Sequence, residues 1–547
     1  MNFVTPAGFR DIMGEEARQR EEITAKVQAY FSERGYALIE TPTLEVLDVL
    51  QVGARMSQAP FKFFDSQGDL LAMRPDVTTQ VARMCATRLK DQPGPFKFRY
   101  MQRVFRETDG EMQATAREMT QFGIESIGAD GCDSDAEMLG IFADVLTLCG
   151  LKDFRLAIGT VAVLRSLLET SQADDAWKNK VLAAYHSSNF VELDRLVDEV
   201  GSQDAYAQAI KALPCIRGGR KAIEKVRALV DPLGCSSCLD AFEQTYSLLE
   251  EQGIADRLLV DFSVMSSFDY YTGIVVEAYA DTLGTPLGSG GRYDNMLAAY
   301  GQSRPASGFA FYLESVMAAI TAQENRQANQ VGQDTARPLR IAVPKGSLNS
   351  DSIRVLQEAG LDTSGLEDPG RQLIIRNPGV EYIIVRPTDA PVFVALGAAD
   401  CGICGKDSLL EADHDVVELV DLSFGACRFI VAEPEGASSQ VEEHYRKLGS
   451  IRIATKYPNI TQEFYAKKGM QVEIVKLHGN IELAPLTGMA ERIVDITATG
   501  TTLKENNLII VDEVLSSTAR FFANPCAFRT DARIVELAQQ FQESEKE

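Results

Sequence analysis

Apolar and polar residues follow different patterns in the two halves of the chain. In the first half, Ile23, Val27, Tyr30 and Phe31 recur at helical spacing and predict a helix over 15–35. Short alternating runs then predict strands at 61–64, 96–101, 120–127, 154–158 and 273–279, and the stretch 175–249 is mostly helical in pattern. Strands joined by turns, with the helices set apart, predict an α+β domain built on an antiparallel sheet.

The second half alternates strand patterns with helix patterns. Apolar runs predict strands at 340–343, 382–385, 401–404, 428–431, 451–454, 472–475 and 508–511. This order is typical of α/β layers, in which substrates bind at the carboxyl ends of the strands. Between the halves, residues 321–337 are polar and rich in Gln, Asn and Ala, which predicts the tail of a helix running into a linker. We therefore expect one domain at 1–320 and another at 338–547.

The charge balance of the chain is acidic. Lys and Arg number 54 and Asp and Glu 78, so the net charge is −24. This balance disfavours non-specific binding to nucleic acid or to an anionic membrane. No uncharged apolar run approaches the roughly 18 residues that a membrane helix needs, and residues 1–14 lack a signal-peptide pattern. We expect a cytoplasmic protein with no nucleic-acid or membrane partner.

The cysteines and histidines do not predict a metal site. Two CxxC pairs, Cys235 with Cys238 and Cys401 with Cys404, lie about 160 residues apart. Zinc modules place their two pairs much closer together. None of the four histidines is at helical spacing from another. We expect free buried thiols and no metal held by protein side chains alone.

A threonine-rich loop carries the clearest chemistry of the second half. An apolar strand ends at Asp495, and four threonines and Gly500 then fall within 497–502. Successive backbone N–H groups and hydroxyls at a helix start can bind a phosphate, and glycine allows close approach. By itself the loop fits equally a threonine-rich turn that caps a helix.

Five further motifs lie in a set order around this loop. They are 344–348 (PKGSL), 385–389 (VRPTD), 397–407 (GAADCGICGKD), 422–428 (LSFGACR) and 478–485 (HGNIELAP). Together with the loop they resemble the short form of ATP phosphoribosyltransferase over 338–530. The resemblance implies two α/β lobes, like those of periplasmic binding proteins, with substrates between them. It also implies the reaction, in which adenine N1 of ATP attacks C1 of phosphoribosyl pyrophosphate (PRPP) and pyrophosphate leaves.

The resemblance also implies residue roles. Such a displacement needs two polyanions positioned and neutralised, and no strong base. The PRPP set would be Asp495, Thr497, Ala498, Thr499, Gly500, Thr501 and Thr502. The ATP set would be Lys345, Ser347, Arg371, Arg386 and Asp407, and the catalytic set Lys345, Arg428 and Glu482. Mg²⁺ would arrive with PRPP and leave with pyrophosphate. Each arginine, taken singly, could instead form a surface ion pair.

Motifs of the first half resemble the catalytic core of histidyl-tRNA synthetase, a class II fold, over 1–320. They lie at 41–45, 74–78, 105–107, 117–125, 268–273 and 290–294. The resemblance implies a histidine pocket made by Asp76, Thr78, Gln121, Glu125, Tyr270 and Tyr271, with Arg106 in the second class II motif. Carboxylate, amide and tyrosyl groups can recognise an imidazole and an α-amino group.

Two departures from the synthetase pattern bear on function. Ser266 and Ser315 stand where synthetases carry arginines that support the activated carboxylate and ATP. Losing two cations there would cost adenylate formation several kcal/mol. The anticodon-binding domain is replaced by the transferase, so the first half resembles the regulatory subunit of short-form ATP phosphoribosyltransferase.

These resemblances imply a fused enzyme of histidine biosynthesis. The expected function is ATP phosphoribosyltransferase activity under feedback regulation by histidine, in a tetramer of fused chains. The alternative is a non-catalytic sensor of histidine or nucleotides. A third hypothesis, an active synthetase, fails on Ser266, Ser315 and the missing anticodon domain.

Overall fold

The computed structural model describes residues 4–53, 59–107, 116–201, 204–264, 270–329, 337–497 and 500–544. The chain divides into two compact units, Met1–Asp334 and Thr335–Glu547. Among the described residues, no helix has the length and apolar character needed to cross a bilayer.

The first unit contains a large sheet, a small sheet and surrounding helices. Its strands are β1 (Ala37–Leu38), β2 (Leu44–Val46), β3 (Lys62–Phe64), β4 (Leu70–Met73), β5 (Phe96–Phe105), β6 (Glu118–Ile127), β7 (Arg155–Thr160), β8 (Arg217–Gly218), β9 (Leu258–Asp261), β10 (Ile274–Tyr279), β11 (Gly288–Arg292) and β12 (Ala306–Tyr312). Its helices are α1 (Gly14–Glu33), α2 (Leu47–Gly53), α3 (Thr78–Thr87), α4 (Cys132–Leu148), α5 (Val161–Thr170), α6 (Asp175–His186), α7 (Phe190–Val200), α8 (Ala205–Ala212), α9 (Arg220–Val230), α10 (Asp240–Glu251) and α11 (Leu313–Asn329).

The sequence predicted an antiparallel sheet, but the large sheet is mixed. Within the described residues its nine strands run in the order β1-β5-β6-β12-β11-β10-β7-β9-β8. The pairs are antiparallel except β1 with β5 and β7 with β9, which are parallel. A parallel pair needs a long crossover connection, and the helical stretch 161–251 supplies one between β7 and β9. The predicted helix 15–35 is present as α1.

Aromatic rings and one buried ion pair join α4 to the large sheet. The rings of Phe142 and Phe309 stack with centroids 4.2 Å apart. The Arg292 guanidinium, at the end of β11, donates to the Asp135 carboxylate of α4 at 2.7 and 3.0 Å. Both side chains are buried. Arg292 also donates to Asp294 at 3.0 Å, so the same cation holds the turn after β11.

The second unit contains two sheets, with helices between most pairs of successive strands. Its strands are β13 (Leu339–Pro344), β14 (Ile374–Asn377), β15 (Val380–Val385), β16 (Cys401–Gly405), β17 (Val417–Asp421), β18 (Cys427–Pro434), β19 (Ile451–Thr455), β20 (Val472–Lys476), β21 (Arg492–Thr497), β22 (Leu508–Ser517) and β23 (Ala519–Ala523). Its helices are α12 (Asn349–Glu358), α13 (Ala390–Ala395), α14 (Lys406–Ala412), α15 (Ser438–Leu448), α16 (Pro458–Lys467), α17 (Leu483–Leu486), α18 (Thr501–Glu505), α19 (Pro525–Thr530) and α20 (Ala532–Ser544).

The chain passes between these two sheets twice. Within the described residues one sheet has the order β14-β15-β13-β16-β23-β17 and the other β20-β19-β21-β18-β22. The connections are the segment between β17 and β18 and the single residue between β22 and β23. Each strand that the sequence predicted in this half is present. Three neighbouring strands of each sheet are parallel, β15-β13-β16 in one and β20-β19-β21 in the other, which brings their carboxyl ends to one edge.

The ion pair of Arg292 and Asp135 predicts a stability effect. We expect Asp135→Ala to lower the free energy of unfolding of the first unit by about 3 kcal/mol, because it leaves a buried guanidinium without its main partner. Urea unfolding followed by the fluorescence of Trp177, the chain's one tryptophan, measures this. Asp133→Ala, an exposed acid in the same helical turn, is the control. Equal free energies of unfolding for the two variants would show that the ion pair of Arg292 and Asp135 does not stabilise the first unit.

Candidate functional site

The carboxyl edge of the first sheet of the second unit carries the predicted ATP residues. Lys345 and Ser347 follow β13, and Arg386 follows β15, its parallel neighbour. The Lys345 N–H donates to the Val385 carbonyl at 2.8 Å, which ties the two loops together. All three side chains are exposed. Exposed cations at one sheet edge can meet a polyphosphate.

Arg371 lies on the same side of this sheet. The Ile384 N–H at the end of β15 donates to the carbonyl of Leu373 at 2.9 Å. Arg371 is two residues before Leu373 and is exposed. Because β14 is antiparallel to β15, the start of β14 coincides with the carboxyl end of β15. The resemblance grouped Arg371 with Lys345 and Arg386, and the antiparallel edge strand β14 brings it to their side of the sheet.

Asp407 differs from these exposed residues, because its buried side chain links the two sheets. It is the second residue of α14, which follows β16 directly, and its side chain is buried. The Ser517 hydroxyl, at the end of β22 in the other sheet, donates to the carboxylate at 2.9 Å. The Asp407 N–H lies 3.2 Å from the same hydroxyl oxygen. Asp407 therefore fixes the two sheets together at the place where the chain crosses.

The threonine loop lies at the carboxyl edge of the second sheet. Thr497 ends β21, and its hydroxyl oxygen accepts a hydrogen bond from the Gly500 N–H at 2.8 Å. Gly500 has φ +73° and precedes α18, whose first residues Thr501 and Thr502 are exposed. Ala498 and Thr499 lie outside the described residues. The helix start that the sequence predicted is present.

Arg428 is a neighbour of this loop across the sheet. It pairs with Thr497 in the antiparallel register of β18 and β21, so the two side chains lie on the same face. The guanidinium is half exposed and lies 3.8 Å from a Glu513 carboxylate oxygen. The guanidinium of Arg428 is therefore accessible to an anion that binds at the threonine loop.

Three ionisable groups surround the end of β21. Burial raises the pKa of Asp495, and the nearby Glu482 carboxylate adds to that rise. The Ile496 N–H and the Lys456 ammonium lower it. Lys456 directly follows β19, the parallel neighbour of β21, and is exposed. Sequence reasoning missed Lys456, although its place after a predicted strand would have pointed to it.

The predicted histidine pocket is a cavity in the first unit. Six of the seven predicted effector residues line it, namely Asp76, Thr78, Gln121, Glu125, Tyr270 and Tyr271. Its volume is about 20 Å³, roughly the space that one water molecule takes. An imidazole could therefore enter only if lining side chains such as Tyr270 and Tyr293 move.

Glu125 is the centre of this cavity. Its carboxylate accepts hydrogen bonds from Thr78 at 2.7 Å, from Tyr100 at 3.2 Å and from the Tyr293 hydroxyl. It lies on β6 with almost no exposed surface. Burial raises the pKa of Glu125 to about 8, although these hydrogen bonds oppose the rise.

Asp76 and Gln121 form the other polar side of the cavity. The Asp76 carboxylate accepts from the Thr79 N–H at 3.2 Å, and burial raises its pKa. The Gln121 carbonyl oxygen accepts from the Val77 N–H at 3.2 Å. Two buried acids in one cavity favour a ligand that carries positive charge.

Arg106, the seventh predicted residue, does not line the cavity. Its guanidinium donates to the Tyr312 hydroxyl and, at 3.2 Å, to the Pro75 carbonyl. Tyr312 itself lines the cavity, so Arg106 contacts a residue that lines the cavity and not the cavity itself. Ser315, in α11, is partly buried, and Ser266 lies outside the described residues.

Comparison with known proteins assigns a family to each half. A family model of histidyl-tRNA synthetase matches residues 8–316, and one of ATP phosphoribosyltransferase matches 386–543. The ATP phosphoribosyltransferase of Rubrobacter xylanophilus is 51% identical over 193 residues, covering 35% of this chain and 89% of that protein. The ATP phosphoribosyltransferase regulatory subunit of Moorella thermoacetica is 35% identical over 316 residues, covering 57% and 81%.

The chain belongs to both families, fused end to end. A solved structure described as an ATP phosphoribosyltransferase regulatory subunit/histidyl-tRNA synthetase from Bacillus halodurans matches with a TM-score of 0.54 and 27% identity, covering 70% of this chain and 98% of that one. The class II synthetase-like fold of the first unit is thereby confirmed. The fused chain is an ATP phosphoribosyltransferase of histidine biosynthesis with a regulatory domain, and the hypothesis of a non-catalytic sensor is set aside.

The buried Glu125 predicts a pH effect on the first unit. Between its ordinary pKa near 4.5 and its folded pKa of about 8, the folded state keeps a proton that the unfolded chain has released. Rising pH therefore favours unfolding, by roughly 1.4 kcal/mol per pH unit at most. We expect the stability of Glu125→Gln relative to the unmodified chain to increase from about pH 5 to about pH 8.

Urea unfolding followed by Trp177 fluorescence across that pH range measures this difference. Glu224→Gln, an exposed glutamate of α9, is the matched control and should show no such trend. A stability difference between Glu125→Gln and the unmodified chain that does not change with pH would show that Glu125 keeps its charge when buried.

Proposed function

We propose that phosphoribosyl transfer takes place where the carboxyl edges of the two sheets of the second unit adjoin. The observation that supports this most is the hydrogen bond between Asp407 and Ser517. It brings the edge with Lys345 and Arg386 next to the sheet with Arg428 and the threonine loop. Substrates of α/β sheets bind outside the carboxyl ends of the strands.

The second sheet holds PRPP in this proposal. Its 5′-phosphate binds the loop 497–502, and Asp495 accepts the ribose hydroxyls. Arg428, beside Thr497, neutralises the pyrophosphate as it leaves. Glu482, close to Asp495, orients the reacting groups.

The first sheet holds ATP. Lys345, Ser347, Arg371 and Arg386 surround the triphosphate at the edge of β13 and β15. Adenine N1 has its own lone pair, so the protein needs only to align it with C1 of the ribose. Lys345 acts on both substrates, since a cation at this edge also offsets the charge on the departing pyrophosphate.

Magnesium arrives with PRPP and leaves with pyrophosphate in this proposal. When bound it would neutralise charge on the pyrophosphate, and the carboxylates of Asp407 and Glu482 would orient it. Among the described residues, no group of three His, Cys, Asp or Glu side chains could hold a metal ion by itself.

The broader organisation is part of the same proposal. The two sheets form two lobes like those of periplasmic binding proteins, in a catalytic domain at 338–547. The regulatory domain is 1–320, and 321–337 is the linker, whose first residues continue α11 as far as Asn329. Four fused chains form a cytoplasmic tetramer.

Histidine is the effector and binds the cavity of the first unit. Asp76 and Gln121 contact its α-amino group, and Glu125, with Tyr270 and Tyr271, contacts its imidazole. Arg106 acts through Tyr312. Because Ser266 and Ser315 replace arginines, histidine is bound there without being activated.

The threonine loop is tested by Gly500→Val. A valine at φ +73° strains the loop, so we expect kcat/KM for PRPP to fall ten-fold or more, roughly 1.4 kcal/mol. Pyrophosphate release from ATP and PRPP is the assay. Gly469→Val, at φ +66° after α16, imposes the same backbone strain away from the loop and should leave the kinetics unchanged. Near-normal PRPP kinetics in Gly500→Val would remove the loop from the site.

The effector cavity is tested by Glu125→Ala combined with Tyr271→Phe. We expect the midpoint of histidine inhibition to rise ten-fold or more, because two of the three contacts to the imidazole are lost. Calorimetry of histidine binding should show the same loss. Tyr246→Phe, buried in α10 outside the cavity, should keep the original midpoint. An unchanged midpoint in the double variant would place the effector site elsewhere.

A further inference from the structure

The two connections between the sheets of the second unit are joined by one hydrogen bond. Asp421 is the last residue of β17 and directly precedes the first connection, residues 422–426. Thr518, between β22 and β23, is the whole of the second connection. The Thr518 hydroxyl donates to the Asp421 carboxylate at 2.7 Å. Neither connection can therefore change its conformation without affecting the other.

Arg520 holds this hydrogen bond on the side of the first sheet. It lies in β23, which pairs with both β16 and β17. Its guanidinium forms an ion pair with Asp421 and donates to the Thr518 hydroxyl oxygen. Its Nε also donates to Glu418 of β17 at 2.9 Å, and the side chains of Arg520 and Glu418 are mostly buried. Burial strengthens such hydrogen bonds, so Arg520 fixes Asp421 and Thr518 to the strands of the first sheet.

The backbone of the first connection is fixed by the same groups. The Ser423 N–H donates to the Asp421 carboxylate at 2.9 Å. Ser423 has φ +56°, a left-handed conformation that residues other than glycine rarely adopt unless their surroundings impose it. The Ala519 N–H donates to the Phe424 carbonyl at 2.9 Å, which ties this connection to the start of β23. Asp421 thus sets the shape of one connection and holds the other.

The relative orientation of the two sheets matters more for the reaction than for the binding of either substrate. In the proposed function the triphosphate of ATP binds cations of the first sheet, and PRPP binds the loop 497–502 of the second. A rotation between the sheets would leave most of each substrate's contacts intact and move adenine N1 away from C1 of the ribose. Misplacement of reacting groups by about 1 Å can lower a rate by about 100-fold.

We infer that Asp421 is a positioning residue of the transfer reaction, which sets the orientation of the two sheets through Thr518 and Arg520 and thereby aligns ATP with PRPP. It contacts neither substrate. The inference rests on the proposed location of the reaction, with one substrate on each sheet. Its kinetic consequence is specific, since loss of alignment lowers the rate of the chemical step and leaves the KM of both substrates nearly unchanged.

Thr518→Val tests this role, because it removes the hydroxyl that joins the two connections and keeps the volume of the side chain. We expect the single-turnover rate at saturating ATP and PRPP to fall roughly ten-fold or more, and both KM values to change less than about two-fold. Thr518→Ser keeps the hydroxyl and should restore the rate. Thr530→Val is the matched control and should leave the rate unchanged. Thr530 is partly buried in α19, beyond the other end of β23, and its hydroxyl donates to the Cys526 carbonyl at 2.8 Å.

Asp421→Asn is a second and milder test. Its amide oxygen still accepts from Thr518 and Ser423, and only the charge opposite Arg520 is lost. We therefore expect a smaller fall in the single-turnover rate, about three-fold, with both KM values kept. If Thr518→Val lowers the melting temperature so far that it cannot be assayed, this variant decides, and an unchanged rate overturns the inference.

An unchanged single-turnover rate in folded Thr518→Val would overturn the inference, as would a rise in KM for one substrate alone, which would show contact with that substrate. A rate that Thr518→Ser does not restore would also overturn it, because packing and not the hydroxyl would then be responsible. Gly500→Val in the same assay tests the location itself. Normal PRPP kinetics in that variant would reject the site, whereas a loss there with a normal rate in Thr518→Val would reject only the role of Asp421.

Discussion

Parallel strands bring their carboxyl ends to one edge, and this constraint places most of the groups of the second unit that could act on a substrate. β13, β15 and β16 carry Lys345, Arg386 and Asp407 to one edge, and β19 and β21 carry Lys456 and Thr497 to another. The chain crosses between the sheets beside Asp407 and Ser517, whose hydrogen bond joins the two edges. The cations proposed to bind ATP and PRPP therefore lie at adjoining sheet edges of one domain.

The first unit contains buried acids where the second unit has exposed cations. Its cavity contains two acids, and Glu125 is surrounded by hydroxyl donors rather than by a cation. Burial raises the pKa of both acids, so the cavity gains most from a ligand that brings positive charge. One unit therefore suits polyanions, and the other suits an amino acid with a basic side chain.

The sequence predicted the elements better than the side-chain contacts. Helix α1 and most strands of the second unit could be found from the pattern of apolar residues, because local burial imposes that pattern, whereas β14, β17 and β23 were not predicted. The parallel pair β7 and β9 could not, because a separation of about 100 residues leaves no local pattern. The hydrogen bond between Asp407 and Ser517 and the position of Arg106 behind Tyr312 both depend on tertiary pairing. Motif spacing does not contain that information.

We propose that histidine in the first unit and the substrates in the second share one free energy of coupling. Linkage requires that each ligand change the other's affinity by the same factor. Histidine should be titrated calorimetrically into the intact chain with and without saturating ATP, which alone cannot turn over. ATP should weaken histidine binding by the factor by which histidine weakens ATP binding, about 5- to 150-fold. A histidine Kd that is the same with and without ATP, in a chain whose activity histidine inhibits, would show that the two ligands are not coupled.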